Sequence, residues 1–133
     1  SRAARGAVIA SSFDLATLAA LTALRPRLPR GLLIPPLRYP ESRSYLAAVT
    51  RPGAFHAVHP WHEDVTRERV AAWRGCGLDT NTWTVDDPAR VAALRDLGAA
   101  MVISNTPASV APSVRVEGDD ARRRELRDRL LQR

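Results

Sequence analysis

The chain has 133 residues with a net charge of +6, and 45% of them are hydrophobic. This length suits one domain with its own core, so we treat residues 1–133 as a single domain. No stretch is long and apolar enough to span a membrane, and the single cysteine excludes a disulfide framework, which favours a reducing, cytoplasmic location.

The first part of the chain alternates strand and helix patterns. An apolar run at Ala7–Ser12 predicts a buried strand, Asp14 can cap the helix that follows, and Pro26 ends that helix. We expect the leucines of this helix to face the core, namely Leu15, Leu18, Leu21 and Leu24. A second strand is predicted at Gly31–Ile34, and prolines then impose a loop before a helix at Ser42–Val49.

The middle of the chain repeats this alternation. A third strand is predicted at Ala54–His59, and Thr66 can cap the helix that follows it. Val65 and Val70 are spaced as a hydrophobic staple across the start of this helix. We expect the lone Cys76, just beyond it, to be a small buried hydrophobic residue.

The most regular unit covers Gly77–Pro107. Leu78–Val85 is rich in Thr, Val and Trp and predicts a strand, and Ala99–Ile103 predicts a strand buried on both faces. Between them Asp87, followed by a proline, begins a helix, and Gly98 ends it. The apolar face of this helix is Val91, Leu94 and Leu97. Two strands joined by such a helix form a right-handed βαβ unit with parallel strands.

These patterns predict an α/β fold with five strands, either an open sheet or part of a (β/α)8 barrel. A complete barrel needs about 250 residues. An open nucleotide-binding sheet usually carries a glycine-rich loop after its first strand, whereas Ser11–Asp14 contains no glycine. The sequence therefore favours part of a barrel and leaves the open sheet as the alternative.

Four short motifs, in this order, resemble those of the glycerophosphodiester phosphodiesterase family, whose members are hydrolases of lipid metabolism. They are Ser12-Phe13-Asp14, His59-Pro60, Trp83-Thr84-Val85 preceded by Gly77, and Ile103-Ser104-Asn105 followed by Pro107. The resemblance covers residues 8–107. It implies a (β/α)8 TIM barrel of which this chain holds about the last five strand–helix units, the C-terminal part, from the fourth strand to the eighth.

The sequence departs from the family in two ways. Asp86 stands where the family often has Asn, and Ser104-Asn105 stands where it has Thr-Asp. The resemblance also implies an earlier His-Arg-Gly, a Glu-x-Asp pair, a second His and a further Glu, which bind a divalent cation (Ca or Mg) and carry out the acid–base steps. This sequence has no His-Arg-Gly, and no Glu-x-Asp directly follows a predicted strand.

We therefore expect the chain by itself to be inactive, with no catalytic residue and no bound metal, and to form part of the wall that binds a small glycerophosphodiester. The residues at the carboxyl ends of the predicted strands are Phe13, His59, Trp83 and Asn105. Phe13 and Trp83 offer flat apolar surface to a glycerol or lipid moiety, and His59 could reach a phosphate oxygen. The alternatives are core packing for the two aromatic rings and a local hydrogen bond for the histidine.

Other polar clusters have simpler interpretations. His56, His59 and His62 recur every third residue, but this spacing places the first two on opposite faces of a strand, which disfavours a metal site. Asp86 and Asp87 are interpreted first as helix-capping residues.

Two further functions are considered, one for the open strand edges of a partial barrel and one for the C-terminal segment. An incomplete barrel leaves strands Ala7–Ser12 and Ala99–Ser104 with open edges, which could pair with another copy or with a missing N-terminal half. The alternative function is thus a non-catalytic binding or self-assembly module. Residues 119–133 predict an arginine-rich terminal helix, and because no aromatic residues interleave with its arginines, nucleic-acid binding is disfavoured.

Overall fold

The computed structural model describes residues 8–110 and 127–132. Strands and helices alternate along the first of these segments. Their bounds are β1 Ala10–Ser12, α1 Leu15–Leu24, β2 Arg30–Ile34, α2 Ser42–Val49, β3 Ala57–Pro60, α3 Arg67–Gly75, β4 Asp79–Thr82, α4 Pro88–Asp96, β5 Met101–Val102 and α5 Pro107–Val110. A short 3-10 helix at His62–Asp64 lies between β3 and α3.

The five strands form one parallel sheet in the order β1-β2-β3-β4-β5. Each strand therefore lies beside the next strand in the chain, and a helix makes each crossover. An open doubly wound sheet would reverse its strand order at a switch point, and this sheet has no reversal. The described residues form a curled half-barrel, which confirms the prediction of a partial (β/α)8 barrel.

The two faces of the sheet differ in chemistry. Leu32, Ile34 and Val58 face the helices and pack with Leu18 of α1 and Trp73 of α3 in the main apolar core. A second apolar cluster joins α3, α4 and α5: Val65, Val70, Val85, Val91, Leu94 and Val110. The register places the other set of side chains on the concave face, including Ser11, Gly31, His59 and Asn81. The concave face therefore carries polar side chains from β1, β3 and β4 beside apolar ones such as Leu33 and Met101.

The predicted helix boundaries are confirmed by their capping contacts. The Asp14 carboxylate accepts from Ala16 N at 3.0 Å, the Thr66 hydroxyl from Arg69 N at 3.2 Å, and the Asp87 carboxylate from Ala89 N at 3.2 Å. Gly98 follows α4 with a φ of 106°, a conformation that a residue with a Cβ rarely adopts. Val65 and Val70 are both buried in the second cluster, as a hydrophobic staple requires.

Four predictions of burial are wrong. The runs Ala7–Ser12 and Ala99–Ile103 are predicted as buried strands, but they contain the edge strands β1 and β5, and none of their described residues is fully buried. Of the four leucines in α1 only Leu18 is buried, while Leu15 is 40% and Leu24 75% exposed. The reason is that α1 accompanies the edge strand β1, so no further helix within the described residues covers its outer side. Cys76 is exposed because it lies at the C-cap of α3, beyond the last turn that packs on the sheet.

The observed strands are shorter than the predicted apolar runs. The run at Ala54–His59 starts with a turn, in which the Ala54 carbonyl accepts from Arg30 Nη2, so β3 begins only at Ala57. The first residue of the Ala7–Ser12 run, like the rest of 1–7, lies outside the described residues, as do 111–126 and 133. Of the predicted terminal helix at 119–133, residues 127–131 are described and helical. None of the described helices has the length and hydropathy needed to cross a bilayer.

Candidate functional site

An aromatic cluster lies at the carboxyl ends of β1 and β4. Phe13 follows β1 and Trp83 follows β4, and their ring centroids are 5.6 Å apart in an edge-to-face arrangement. Phe13 also meets the Tyr45 ring of α2 edge-to-face at 6.4 Å. Two strands separate β1 from β4 in the sheet, so the curl of the sheet brings these rings together. Phe13 stays 42% exposed, which leaves apolar ring surface open to a ligand.

The Trp83 indole is held in place by the neighbouring strand. Its Nε1 donates to the main-chain carbonyl of His59 at 2.7 Å. The main chain of Trp83 also pairs with the end of β3, accepting from His62 N at 2.9 Å. A buried indole N–H normally finds such an acceptor, and here the acceptor fixes the direction of the ring. The orientation of Trp83 therefore depends on the position of His59.

The His59 side chain is completely buried on the concave face. Its Nδ1 lies 2.7 Å from Ser11 Oγ in β1, and its Nε2 lies 3.1 Å from Asn81 Nδ2 in β4. The ring packs directly over Gly31 of β2, where any side chain would overlap it. Burial lowers the pKa of His59 to about 4, so the ring is neutral at pH 7.

This geometry limits what His59 can bind. Its Nε2 forms a hydrogen bond with the Asn81 side-chain amide, and its Nδ1 forms one with the Ser11 hydroxyl. Both ring nitrogens thus have protein partners, and a contact with a substrate phosphate would require one of these hydrogen bonds to break. Asn81 Oδ1 is buried with no partner in the described part of the chain.

Asn105 belongs to a different set of contacts from the aromatic cluster. The Asp86 carboxylate accepts from Ser104 Oγ at 2.7 Å, from Asn105 N at 2.8 Å and from Asn105 Nδ2 at 3.4 Å. The hydrogen bonds from Ser104 and Asn105 lower the pKa of Asp86. Asp86 therefore links the loops after β4 and β5, and the expectation that it caps a helix is wrong; Asp87 alone caps α4.

The resemblance contained an indication of this link. Asp86 and Ser104-Asn105 are the loop positions at which the resemblance implies other residues, and the structure joins them by hydrogen bonds.

The three histidines have separate partners. His56 Nδ1 accepts from Arg30 N at 3.1 Å, and His62 Nδ1 accepts from Arg90 Nε at 3.2 Å. Burial is the main cause that lowers the pKa of His56 and of His62. Within 8–110 and 127–132 no group of three or more His, Cys, Asp or Glu residues is arranged to hold a metal ion.

The carboxylates at this end of the sheet do not fit a divalent cation. Such a cation needs several convergent oxygen ligands. Asp86 is engaged by the loop after β5, Asp87 by the start of α4, and Asp64 accepts from Leu37 N at 2.8 Å. The one Glu-x-Asp triplet of the sequence, at 117–119, lies outside the described residues.

Comparison with protein families gives a match over most of the chain. Residues 1–109 match the model of the glycerophosphoryl diester phosphodiesterase family. No curated protein sequence matches the chain.

Several solved structures share this fold. An Oleispira antarctica phosphodiesterase, solved with the product sn-glycerol-3-phosphate, superposes on 78% of this chain with a TM-score of 0.63 and 19% identity. A protein of Silicibacter pomeroyi, provisionally named a glycerophosphoryl diester phosphodiesterase, covers 77% of it with a TM-score of 0.62 and 26% identity. A glycerophosphodiester phosphodiesterase of Parabacteroides distasonis covers 75% with a TM-score of 0.52 and 20% identity. The chain spans only 40%, 35% and 40% of these structures, respectively.

Proposed function

Because this chain belongs to the glycerophosphoryl diester phosphodiesterase family, we propose that it forms the substrate-binding wall of a barrel that hydrolyses glycerophosphodiesters to an alcohol and glycerol phosphate. The observation that carries this proposal is the Phe13–Trp83 pair, which stands at the carboxyl ends of parallel strands with ring surface exposed. Substrates of barrel enzymes bind at this end of the strands. The family is generally metal-dependent, and the identity of the cation is part of the proposal: Ca or Mg.

The wall residues have different roles in this proposal. Phe13 and Trp83 contact the apolar surface of the glycerol or lipid moiety. His59 acts as a positioning residue, since its ring is enclosed by Ser11, Gly31 and Asn81 while its carbonyl holds the indole. The exposed Asn105 would supply a polar contact at the rim.

We propose that the chain by itself does not hydrolyse the substrate. Cleavage of a phosphodiester requires charge neutralisation at the phosphate, usually by a cation, and a group that moves protons near neutral pH. The carboxylates described above are engaged in loop and cap contacts, and His59 has a pKa of about 4 that is unsuited to proton transfer at pH 7. The neighbour of Oleispira antarctica supports the class of ligand, since its complex contains sn-glycerol-3-phosphate.

The binding role can be tested with fluorine NMR because the chain contains only two phenylalanines. Phe13 lies at the proposed site, whereas Phe55 precedes β3 at the opposite end of the sheet and packs against the main core. In chain labelled with 4-fluorophenylalanine, sn-glycerol-3-phosphate should shift the Phe13 resonance in a saturable manner and leave that of Phe55 unchanged. An unchanged Phe13 resonance, or equal shifts of both, would contradict the proposal.

The proposed lack of hydrolytic activity in this chain is tested by a separate assay of choline release. The purified chain, incubated with glycerophosphocholine and either Ca²⁺ or Mg²⁺, should release no choline above a reaction without protein. Release of choline that a chelator abolishes would show that the chain has a complete catalytic site.

A second candidate function is a non-catalytic module that assembles through its edges. Among the described residues β1 pairs only with β2 and β5 only with β4, and the exposed Val8 and Leu24 lie beside β1. Such edges favour pairing with a second copy or with another strand–helix unit.

We also propose a cytoplasmic location, because a single cysteine suits a reducing compartment.

A further inference from the structure

The loop between β2 and α2 is fixed at the rim of the aromatic cluster. Leu37 N donates to Asp64 Oδ2 at 2.8 Å, which ties the loop to the 3-10 helix after β3. Ser42 Oγ, at the start of α2, donates to the carbonyl of Tyr39 at 2.7 Å. Loops held at both ends in this way present their side chains in a defined place. Arg38 lies between Leu37 and Tyr39, whose main-chain groups make these two hydrogen bonds.

Arg38 lies against two aromatic rings, and within residues 8–110 and 127–132 it forms no ion pair with an acidic side chain. Its Cζ is 5.1 Å from the centroid of Tyr39 and 5.2 Å from that of Trp61, both within cation–π distance. Nη2 donates to Tyr39 Oη at 3.3 Å, which leaves Nε and Nη1 without an acceptor among the described residues. Arg38 is exposed, so its free N–H groups are accessible.

Contacts connect Arg38 to the proposed substrate wall. Trp61, which lies under the guanidinium, follows β3 and pairs with Trp83 through a parallel bridge. Trp83 in turn packs against Phe13. The charged group is therefore next to the strand end that carries the aromatic pair. In the proposed function the glycerol lies on Phe13 and Trp83, and the rim with Arg38 is the adjoining surface for the other substituent.

We propose that Arg38 recognises the head group of the diester and favours one that carries a carboxylate; this rests on the proposed function. A guanidinium is planar and presents its N–H donors as a fork that matches the two oxygens of a carboxylate, and two aromatic rings within 5.2 Å of Cζ hold it at this place. The stacking also reduces the side-chain entropy that an exposed arginine loses on binding an anion.

The test compares two ligands that differ by a single carboxylate, glycerophosphoserine and glycerophosphoethanolamine, by titration of the Phe13 fluorine resonance. Because the site is exposed, we expect the wild-type chain to bind glycerophosphoserine about threefold to fivefold more tightly at low ionic strength. Arg38→Gln should lower the affinity for glycerophosphoserine to that for glycerophosphoethanolamine and leave the latter unchanged. The preference of the wild type should also decrease as salt is added.

Arg43→Gln is the matched control. Arg43 is an exposed arginine of α2, and no aromatic ring stacks on it in the described part of the molecule. This variant removes the same charge and should keep the preference. Equal affinities in the wild type, or an equal loss in both variants, would overturn the role of Arg38 and leave the proposed function intact. If neither ligand binds the wild-type chain, both the role of Arg38 and the binding function of this chain are wrong.

Discussion

At the scale of single residues, His59 contacts residues from three other strands of the sheet and the Trp83 indole. Its ring meets Ser11 of β1, Gly31 of β2 and Asn81 of β4, and its carbonyl accepts from Trp83. One residue therefore joins four neighbouring strands of the half-barrel and orients the ring that we place against the substrate. Because the ring is buried without a carboxylate partner, the neutral form is strongly favoured in the folded state.

This burial makes the stability of the protein depend on pH. The pKa of His59 is about 4 in the folded state, and in the unfolded chain it takes its ordinary value of 6.5. Between pH 4 and pH 6.5 the unfolded chain therefore binds a proton at this residue and the folded chain does not. Stability is therefore lost as the pH falls through this window, by about 2 kcal/mol for this residue between pH 7 and pH 5. Urea unfolding of the wild type at the two pH values measures the loss, and His59→Gln should remove most of it.

His56→Gln is the comparison for this experiment. The pKa of His56 is lowered too, but the side chain is exposed, so its replacement should change the pH dependence only slightly. The lowered pKa values of Asp14 and Asp86 act in a more acidic range, where stability is lost as the pH falls below about 4. They do not contribute between pH 7 and pH 5. A His59→Gln chain that keeps the wild-type pH dependence would contradict a buried neutral ring.

At the scale of secondary-structure elements, α1 shows how the edge of the sheet determines what a helix buries. Ten residues of low polarity form this helix, yet only Leu18 is buried. The helices α3 and α4 each bury two residues, compared with one in α1. In α3 they are Val70 and Trp73, and in α4 they are Val91 and Leu94. A helix that packs against one side only leaves its remaining apolar residues in solvent.

A pair of substitutions in α1 tests this difference. Leu18→Ala removes a side chain that is 1% exposed within the main core, and should lower the free energy of unfolding by about 2–4 kcal/mol. Leu24→Ala removes a leucine that is 75% exposed in the same helix, and we expect a change within about 0.5 kcal/mol. Chemical denaturation of both variants gives the comparison. Equal losses would mean that the outer side of α1 is covered in solution.

At the scale of the whole molecule, the half-barrel leaves two strands with one neighbour each. The backbone groups along the free sides of β1 and β5 have no strand partner within the described residues. Next to β1 the apolar Val8 is 73% exposed and lies with Leu24 around a groove. An open strand edge beside exposed apolar side chains favours association.

We expect the purified chain to associate, giving masses at multiples of 14.6 kDa in native mass spectrometry and sedimentation. Val8→Lys should weaken this association by about tenfold, because a charge placed in the interface must be buried or the interface must open. Leu130→Lys is the control, since Leu130 is equally exposed but lies in the terminal helical segment. A wild-type chain that stays monomeric at high concentration would contradict the assembly module.

Part of this protein could be predicted from the sequence alone because it depends on local interactions. The order of strands and helices, the caps at Asp14, Thr66 and Asp87, the positive φ at Gly98 and the family motifs all involve residues close together in the chain. The alternation of strands and helices also predicted an α/β fold with parallel strands, and the family resemblance implied the partial barrel that the strand order confirms.

The remaining features depend on contacts between distant residues, which only the tertiary structure could decide. The curl of the sheet brings Phe13 to Trp83, and the register places His59 between Ser11 and Asn81, which buries a histidine that the sequence suggested for phosphate binding. The edge position of β1 exposes leucines whose spacing predicted a core. The link from Asp86 to Asn105 arises because β4 and β5 are neighbours, so loops 19 residues apart in the chain meet at one end of the sheet.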